Sequence, residues 1–199
     1  MAKMATNHMG PFVLTIELLP LLKATAQQPD MDVRVVTLSS SAHAFAAKVD
    51  WKSFAEWDFP GPATYMHSLH SYGTTKLANV LCDKELQRRF DEEGVSALSI
   101  SIDPGAVATE NPKKSFLTIR PILGRLVVTL SGLFFLPPSK GAWNTLFAAT
   151  SARVKAKSRE YAGAYLAPVG VIKIPKLGGD DPVAARDLWE TSERAVVAM

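Results

Sequence analysis

The sequence predicts an α/β protein built on a parallel sheet, and three observations carry that prediction. Two short runs rich in β-branched and small apolar residues, VRVVTL (33–38) and SALSISI (96–102), lack the alternation of a strand with one wet face. Stretches with helical spacing of apolar residues separate such runs, so the order reads helix, strand, helix, strand, helix, strand. With 199 residues, 47% of them apolar and 21% charged, the chain suits one folded domain and is too apolar for a disordered segment.

Residues 10–23 carry Phe12, Leu14, Ile16, Leu18, Leu19, Leu21 and Leu22, too long and leucine-rich for a strand. They are expected to form a buried helix that tolerates Pro20 near its end. Gln27-Gln28-Pro29-Asp30 stops it. The run 33–38 is expected to be buried on both faces and ends at Ser39-Ser40-Ser41. Residues 42–70 hold no period and contain Trp51, Trp57, Pro60, Gly61 and Pro62, the composition of a long loop. From 71 to 93 the helical period returns, with Leu77, Val80, Leu81, Leu86 and Phe90 inward. Lys84, Glu85, Gln87 and Arg88 supply its polar surface, and Gly94 terminates it. The strand 96–102 runs into Asp103-Pro104-Gly105. Residues 140–151 read as a further helix, 161–166 as a third strand, and 183–194 as a short closing helix.

Net charge is +3, from 22 basic and 19 acidic residues, and no run of Lys or Arg exceeds two, so no nucleic-acid partner is expected. The single cysteine, Cys82, cannot form an intramolecular disulfide and leaves no CxxC pair for zinc or redox chemistry. No metal site is expected, and the cysteine usage fits a reducing, cytoplasmic setting. The N-terminus does not read as a signal peptide, because Asn7 and His8 interrupt its apolar core. The longest uncharged apolar stretch, 126–136, has roughly half of the ~20 residues a spanning helix needs, so no membrane span is expected.

Ligands of open parallel sheets bind beyond the carboxyl ends of the strands. Here those ends carry Ser39-Ser40-Ser41 and Asp103-Pro104-Gly105-Ala106-Val107-Ala108-Thr109, with Tyr72-Gly73-Thr74-Thr75-Lys76 between them in sequence. A spacing of four puts Tyr72 and Lys76 on one helix face, one turn apart. An ammonium ~4 Å from a phenolate stabilises it by up to ~4 kcal/mol at an effective dielectric near ~20, a shift of up to about three units. That brings a tyrosine into acid–base range, and a strand-end serine hydroxyl would hold the same substrate oxygen.

Asn7-His8-Met9-Gly10-Pro11-Phe12, VRVVTLSSSAH (33–43), SYGTTKLANVL (71–81) and DPGAVATE (103–110) occur in the order and at the spacings of one family. With them the chain resembles the catalytic half of the short-chain dehydrogenase/reductases, particularly the retinol-dehydrogenase-like branch. The resemblance implies the C-terminal portion of a Rossmann-like doubly wound sheet spanning 1–199. Tyr72 would be the general acid/base, Lys76 would lower its pKa and hold the nicotinamide ribose, and Ser40 would orient the substrate oxygen, with Ser39 or Ser41 as fallbacks. Asn7 matches the asparagine of a proton relay, a helix start being its other reading. Val107 and Thr109 match positions that contact the nicotinamide carboxamide and phosphates. His8 and His43 are read as structural. Residues 111–139 fall where the family places its variable substrate lid. The Leu, Phe and Val content of 116–136 suggests a lipophilic substrate, with plain packing as the alternative.

The family's opening glycine-rich turn, whose N–H groups hold the pyrophosphate, has no counterpart in these 199 residues. Two readings follow. One is an NADP(H)-dependent oxidoreductase, with NAD as the alternative cofactor, interconverting a carbonyl and an alcohol in tailoring a lipophilic metabolite. The other is a non-catalytic remnant that acts as a binding or regulatory partner. By analogy with the family, homodimers would be built on the helices at 10–23 and 71–93.

Overall fold

The computed structural model describes residues 2–57, 61–62, 64–107 and 137–198. Four strands form one sheet in the order β1-β2-β3-β4: β1 (Val33–Leu38), β2 (Ala97–Ile102), β3 (Tyr165–Ala167) and β4 (Val171–Lys173). β1 and β2 pair in parallel along their whole length, Val33 opposite Ala97 and Leu38 opposite Ile102. β3 joins β2 in parallel, and β4 returns antiparallel to β3, giving Leu166 opposite Ile172. The expected α/β fold with a parallel-dominated sheet is what the chain adopts.

Odd-numbered residues of β1 and β2 face one helical layer, made by α1 (Gly10–Ala26), α2 (Tyr65–Glu92) and, after the sheet, the closing helix Pro182–Val197. Even-numbered residues face α3 (Pro138–Thr150) and two short helices after it, α4 (Ala152–Ala156) and α5 (Ser158–Tyr161). The closing helix is therefore α6. On the α3 side the ends of the sheet are held by Arg34 on the Ala148 carbonyl and Asn144 on the Leu166 carbonyl, and its centre by apolar burial, where Ile100, Ile102 and Leu166 pack on Ala148 and Val154. Each such large side chain contributes ~1.5–3 kcal/mol, without directional preference.

The α2 side is built differently. Asn79, Asp83 and Gln87, spaced by four, lie on one stripe of α2, and all three are buried. Asn79 Nδ2 donates to the Leu38 carbonyl at 3.1 Å. Asp83 Oδ1 accepts from Thr37 Oγ1 at 2.8 Å and Ser99 Oγ at 2.9 Å. Gln87 Oε1 accepts from the Ser99 N–H at 2.9 Å, and its Nε2 donates to the Ala97 carbonyl. Hydrogen bonds are directional where apolar contacts slide, so this stripe sets the axial register of α2 against the strands. Apolar packing closes the remainder of the layer, with Phe12 edge-on to Trp189 at 5.0 Å.

Several expectations are corrected. α1 is not a buried helix: Phe12 is buried, but Leu14 and Leu21 are 62% and 64% exposed, because among the described residues nothing covers its outer side. β1 is half-buried rather than buried on both faces, since it forms an edge of the sheet. α2 starts six residues earlier than position 71, where Thr64 Oγ1 accepts the His67 N–H and caps it. Glu85 and Gln87 are buried, not surface. The third strand begins at Tyr165, after α5, and β4 was not anticipated at all. Residues 42–57 include two short 3₁₀ turns, Ser41–Phe45 and Phe54–Trp57. The apolar stretch 116–136, and residues 111–136 of the expected lid, lie outside the described residues. One described stretch, Ala5–Ala26, is long and apolar enough to cross a membrane by length and composition, a length the search for uncharged runs passed over because of Glu17 and Lys23.

Candidate active site

The carboxyl end of β1 and the third turn of α2 meet because four small residues let them. Ser39 Oγ donates to the Lys76 carbonyl at 2.8 Å, so this serine anchors strand to helix. Ser40, in extended backbone, caps the 3₁₀ turn that follows by accepting the Ala42 N–H at 3.2 Å. Gly73 lies under that turn: a Cβ there would stand 2.5 Å from the Ala42 carbonyl oxygen and 2.9 Å from the Ala46 nitrogen. Only glycine permits this approach. Thr74 Oγ1 accepts the Ala47 N–H at 3.0 Å and completes the clasp.

These contacts bring the Ser40 hydroxyl to the side of the Tyr72 phenol, near enough to act on its acidity. Ser41 instead opens the 3₁₀ turn. Tyr72 remains 37% exposed, so its ring lies at the surface where a ligand can reach it. Lys76 lies one turn on, its Nζ 5.6 Å from the Tyr72 ring centroid. It donates one of its three protons to the Leu38 carbonyl at 2.8 Å. The sequence reading expected that ammonium to lower the phenol pKa. Here the phenol is raised above its usual 10: burial dominates, the Asp103 carboxylate adds to it, and only the neighbouring Ser40 hydroxyl opposes them. The ammonium is directed at Leu38 rather than at the phenol oxygen, and burial lowers its own pKa.

Asn7 reaches the same helix one residue before Lys76, where its Nδ2 donates to Thr75 Oγ1 at 3.1 Å. Asn7, Lys76 and Leu38 line one end of a groove of about 490 Å³ between α1 and the outer edge of β1. Val107 lies on the far side of the sheet end, against α3, where a Cβ on Gly141 would meet its Cγ2 at 2.5 Å. Thr109 is outside the described residues. The structure thus brings Ser40, Tyr72 and Lys76 together, sets Asn7 one shell behind them, and keeps Val107 apart.

Three further residues were not singled out from the sequence. Asp103 bears on both Tyr72 and Tyr165 through its charge. Asn144 Nδ2 bridges the Asp103 and Leu166 carbonyls at 2.7 and 2.9 Å, fixing the end of β2 against β3. Asn79, three residues after Lys76, shares the Leu38 carbonyl with it. Only its spacing from Lys76 carried a signal.

A short chain dehydrogenase/reductase of Macrophomina phaseolina is 38% identical to this chain over 168 residues, which cover 81% of this chain and 79% of that protein. The chain belongs to the short-chain dehydrogenase/reductase family. A second family member, from Colletotrichum higginsianum, is 43% identical over 199 residues, 97% of this chain and 48% of its own length. A solved structure of an uncharacterized protein from Mycobacterium paratuberculosis superposes with a TM-score of 0.61 at 25% identity, covering 96% of this chain and 57% of that one. No family model matches the chain. The chain spans about half the length of most of the curated relatives it matches. Dehydrogenase/reductases of this family use NAD(P). The residues present fit only part of that cofactor. The Lys76 ammonium, with protons to spare beside an exposed phenol, suits ribose hydroxyls, but no glycine-rich turn for a pyrophosphate occurs in the sequence.

Proposed function

We infer that this chain carries the catalytic side chains of an NAD(P)-dependent oxidoreductase interconverting a carbonyl and an alcohol. The observation that carries this reading is the clasp of the β1 end onto α2, which puts the Ser40 hydroxyl beside the Tyr72 phenol with Lys76 one turn away on the same helix face. In the reducing direction the Tyr72 hydroxyl donates its proton to the carbonyl oxygen as that oxygen gains charge. Ser40 Oγ accepts from the Ala42 N–H, so its own proton can turn from the phenol to the same substrate oxygen. The reduced nicotinamide, when bound, supplies the hydride. Lys76 holds ribose hydroxyls, and its charge, once turned from Leu38 toward the phenol, favours the phenolate that proton donation leaves behind. Asn7 steadies Thr75 and so the turn that bears Lys76. Val107 and Thr109 belong to this reading as contacts of the carboxamide and phosphates, and NADP is the preferred nucleotide.

A lipophilic substrate follows from the apolar composition of 116–136, in a tailoring step on a small metabolite. We place the protein in the cytoplasm, with α1 held on the fold through Phe12 rather than in a bilayer. Pairing of two copies through α1 and α2 would cover Leu14 and Leu21. A second reading, a non-catalytic binding partner, draws on the open outer edge of β1, an edge that invites another strand. The test is NADPH oxidation against a panel of lipophilic ketones and aldehydes, run on the whole gene product. Tyr72→Phe should lower kcat by about 10²–10⁴-fold. Turnover unchanged in that variant removes Tyr72 from the mechanism, and no turnover with any carbonyl favours the binding partner.

A further inference from the structure

His43 was read as structural, yet its surroundings tie it to the site. The ring is 3% exposed and edge-on to Tyr165 at 4.9 Å. Its Nδ1 lies 2.7 Å from the Ser40 carbonyl oxygen, and its Nε2 lies 3.0 Å from the Lys176 backbone nitrogen. A carbonyl only accepts and a backbone N–H only donates, so both partners demand the same tautomer, with the proton on Nδ1 and Nε2 bare.

The Lys176 end of this bridge is itself fixed. Lys176 opens a tight turn whose next two residues, Leu177 and Gly178, have φ of 52° and 70°, and the Gly179 N–H closes it on the Lys176 carbonyl at 3.1 Å. A Cβ on Gly179 would stand 2.8 Å from Pro175 and 3.2 Å from Leu77, the residue after Lys76, so the turn is pressed onto α2 beside the site. At its other end the ring holds Ser40 by the main chain, leaving the hydroxyl for the Ala42 N–H and the Tyr72 phenol.

We propose that His43 is a positioning residue: the Lys176 N–H locks its imidazole as the Nδ1–H tautomer, and that Nδ1–H holds the Ser40 carbonyl and so keeps the Ser40 hydroxyl beside Tyr72. For any role in turnover this rests on the oxidoreductase reading; the positioning itself does not require turnover.

The test uses the 199-residue chain, labelled with ¹⁵N-histidine and with ¹³Cζ-tyrosine, at neutral pH. Long-range ¹⁵N correlations of His43 should show the Nδ1–H tautomer; an Nε2–H ring overturns the proposal. The Tyr72 ¹³Cζ resonance, identified by its loss in Tyr72→Phe, then reports on Ser40. Ser40→Ala should displace it, and His43→Phe, which keeps an aromatic ring but neither nitrogen, should give at least half of that displacement. His43→Asn places an amide N–H where Nδ1 stands and should return the resonance to within a quarter of the displacement from wild type. His43→Gln retains only an acceptor at the Nε2 position and should behave as His43→Phe. A purely structural bridge predicts the reverse order, with Gln rescuing and Asn failing, and that result overturns the proposal. Should His43→Phe fail to fold, the Asn and Gln pair decides alone. A Ser40→Ala spectrum with Tyr72 unmoved defeats both this proposal and the Ser40–Tyr72 pair beneath the functional reading. A response to Ser40→Ala without the His43 pattern defeats the proposal only.

Discussion

Replacing Asp83 by asparagine should flatten the pH dependence of folding stability between about pH 4 and pH 7. The carboxyl is 2% exposed, and its Oδ1 accepts from Thr37 and Ser99 while Oδ2 is buried without a partner among the described residues. Burial outweighs those two hydroxyls and raises its pKa from 3.8 to about 7. In the unfolded chain the group ionises near its ordinary value, so across this window the folded state holds a proton that the unfolded state has released. Stability from this group is therefore greatest below about pH 4, falls as pH rises, and levels off above about pH 7. Three units at about 1.4 kcal/mol each give a loss of about 4 kcal/mol. Asparagine keeps an acceptor for Thr37 and Ser99 and does not titrate; its unpaired Nδ2 costs about 1–3 kcal/mol at every pH. Urea unfolding of both proteins from pH 4 to pH 8, taken as a difference, isolates the group. The difference should change by about 4 kcal/mol between the ends of the window and reverse sign, with Asp83→Asn the less stable protein at pH 4 and the more stable one at pH 8. A difference constant with pH refutes the argument.

Gly73→Ala drives a Cβ into the Ala42 carbonyl; we expect a loss of about 1–3 kcal/mol in thermal unfolding, with the turn after Ser40 displaced. Glu85 is buried between Arg88 and Arg89. Burial raises its pKa, but the two guanidiniums together outweigh it and lower the pKa overall. Glu85→Gln should cost about 1–2 kcal/mol near neutral pH, and the cost should fade as pH falls below the ordinary carboxylate range, the opposite trend to Asp83. Residues 1–199 alone should show no measurable NADPH affinity by calorimetry, because the sequence offers no glycine-rich pyrophosphate cradle; tight binding would contradict this.

The bounds of β1 were legible because a β-branched run between a Pro-Asp turn and three serines admits little else. Tyr72 and Lys76 were legible as a pair one helix turn apart, whereas Ser40 was singled out from three adjacent serines by the family resemblance. The first turns of α2 were not, since 65–70 carry no inward apolar residue and their helical state rests on the Thr64 cap. Gln87 was misplaced for a related reason. The period points it at the sheet, but its polarity argues for water, and only the Ser99 and Ala97 main-chain groups resolve the conflict. β4 escaped notice because its three residues follow Gly170, a turn whose geometry no periodicity reveals. Tyr72 acidity was misjudged because proximity along a helix does not fix where a lysine's flexible arm ends up.

The stripe of Asn79, Asp83 and Gln87 has a mechanical consequence. A helix pegged at fixed intervals can roll or tilt slightly as its outer neighbours change, but it cannot creep lengthwise without breaking every peg at once. Drift in the residues around its solvent side would therefore leave the distance from phenol to strand tip untouched, and only loss of all the pegs together would free it.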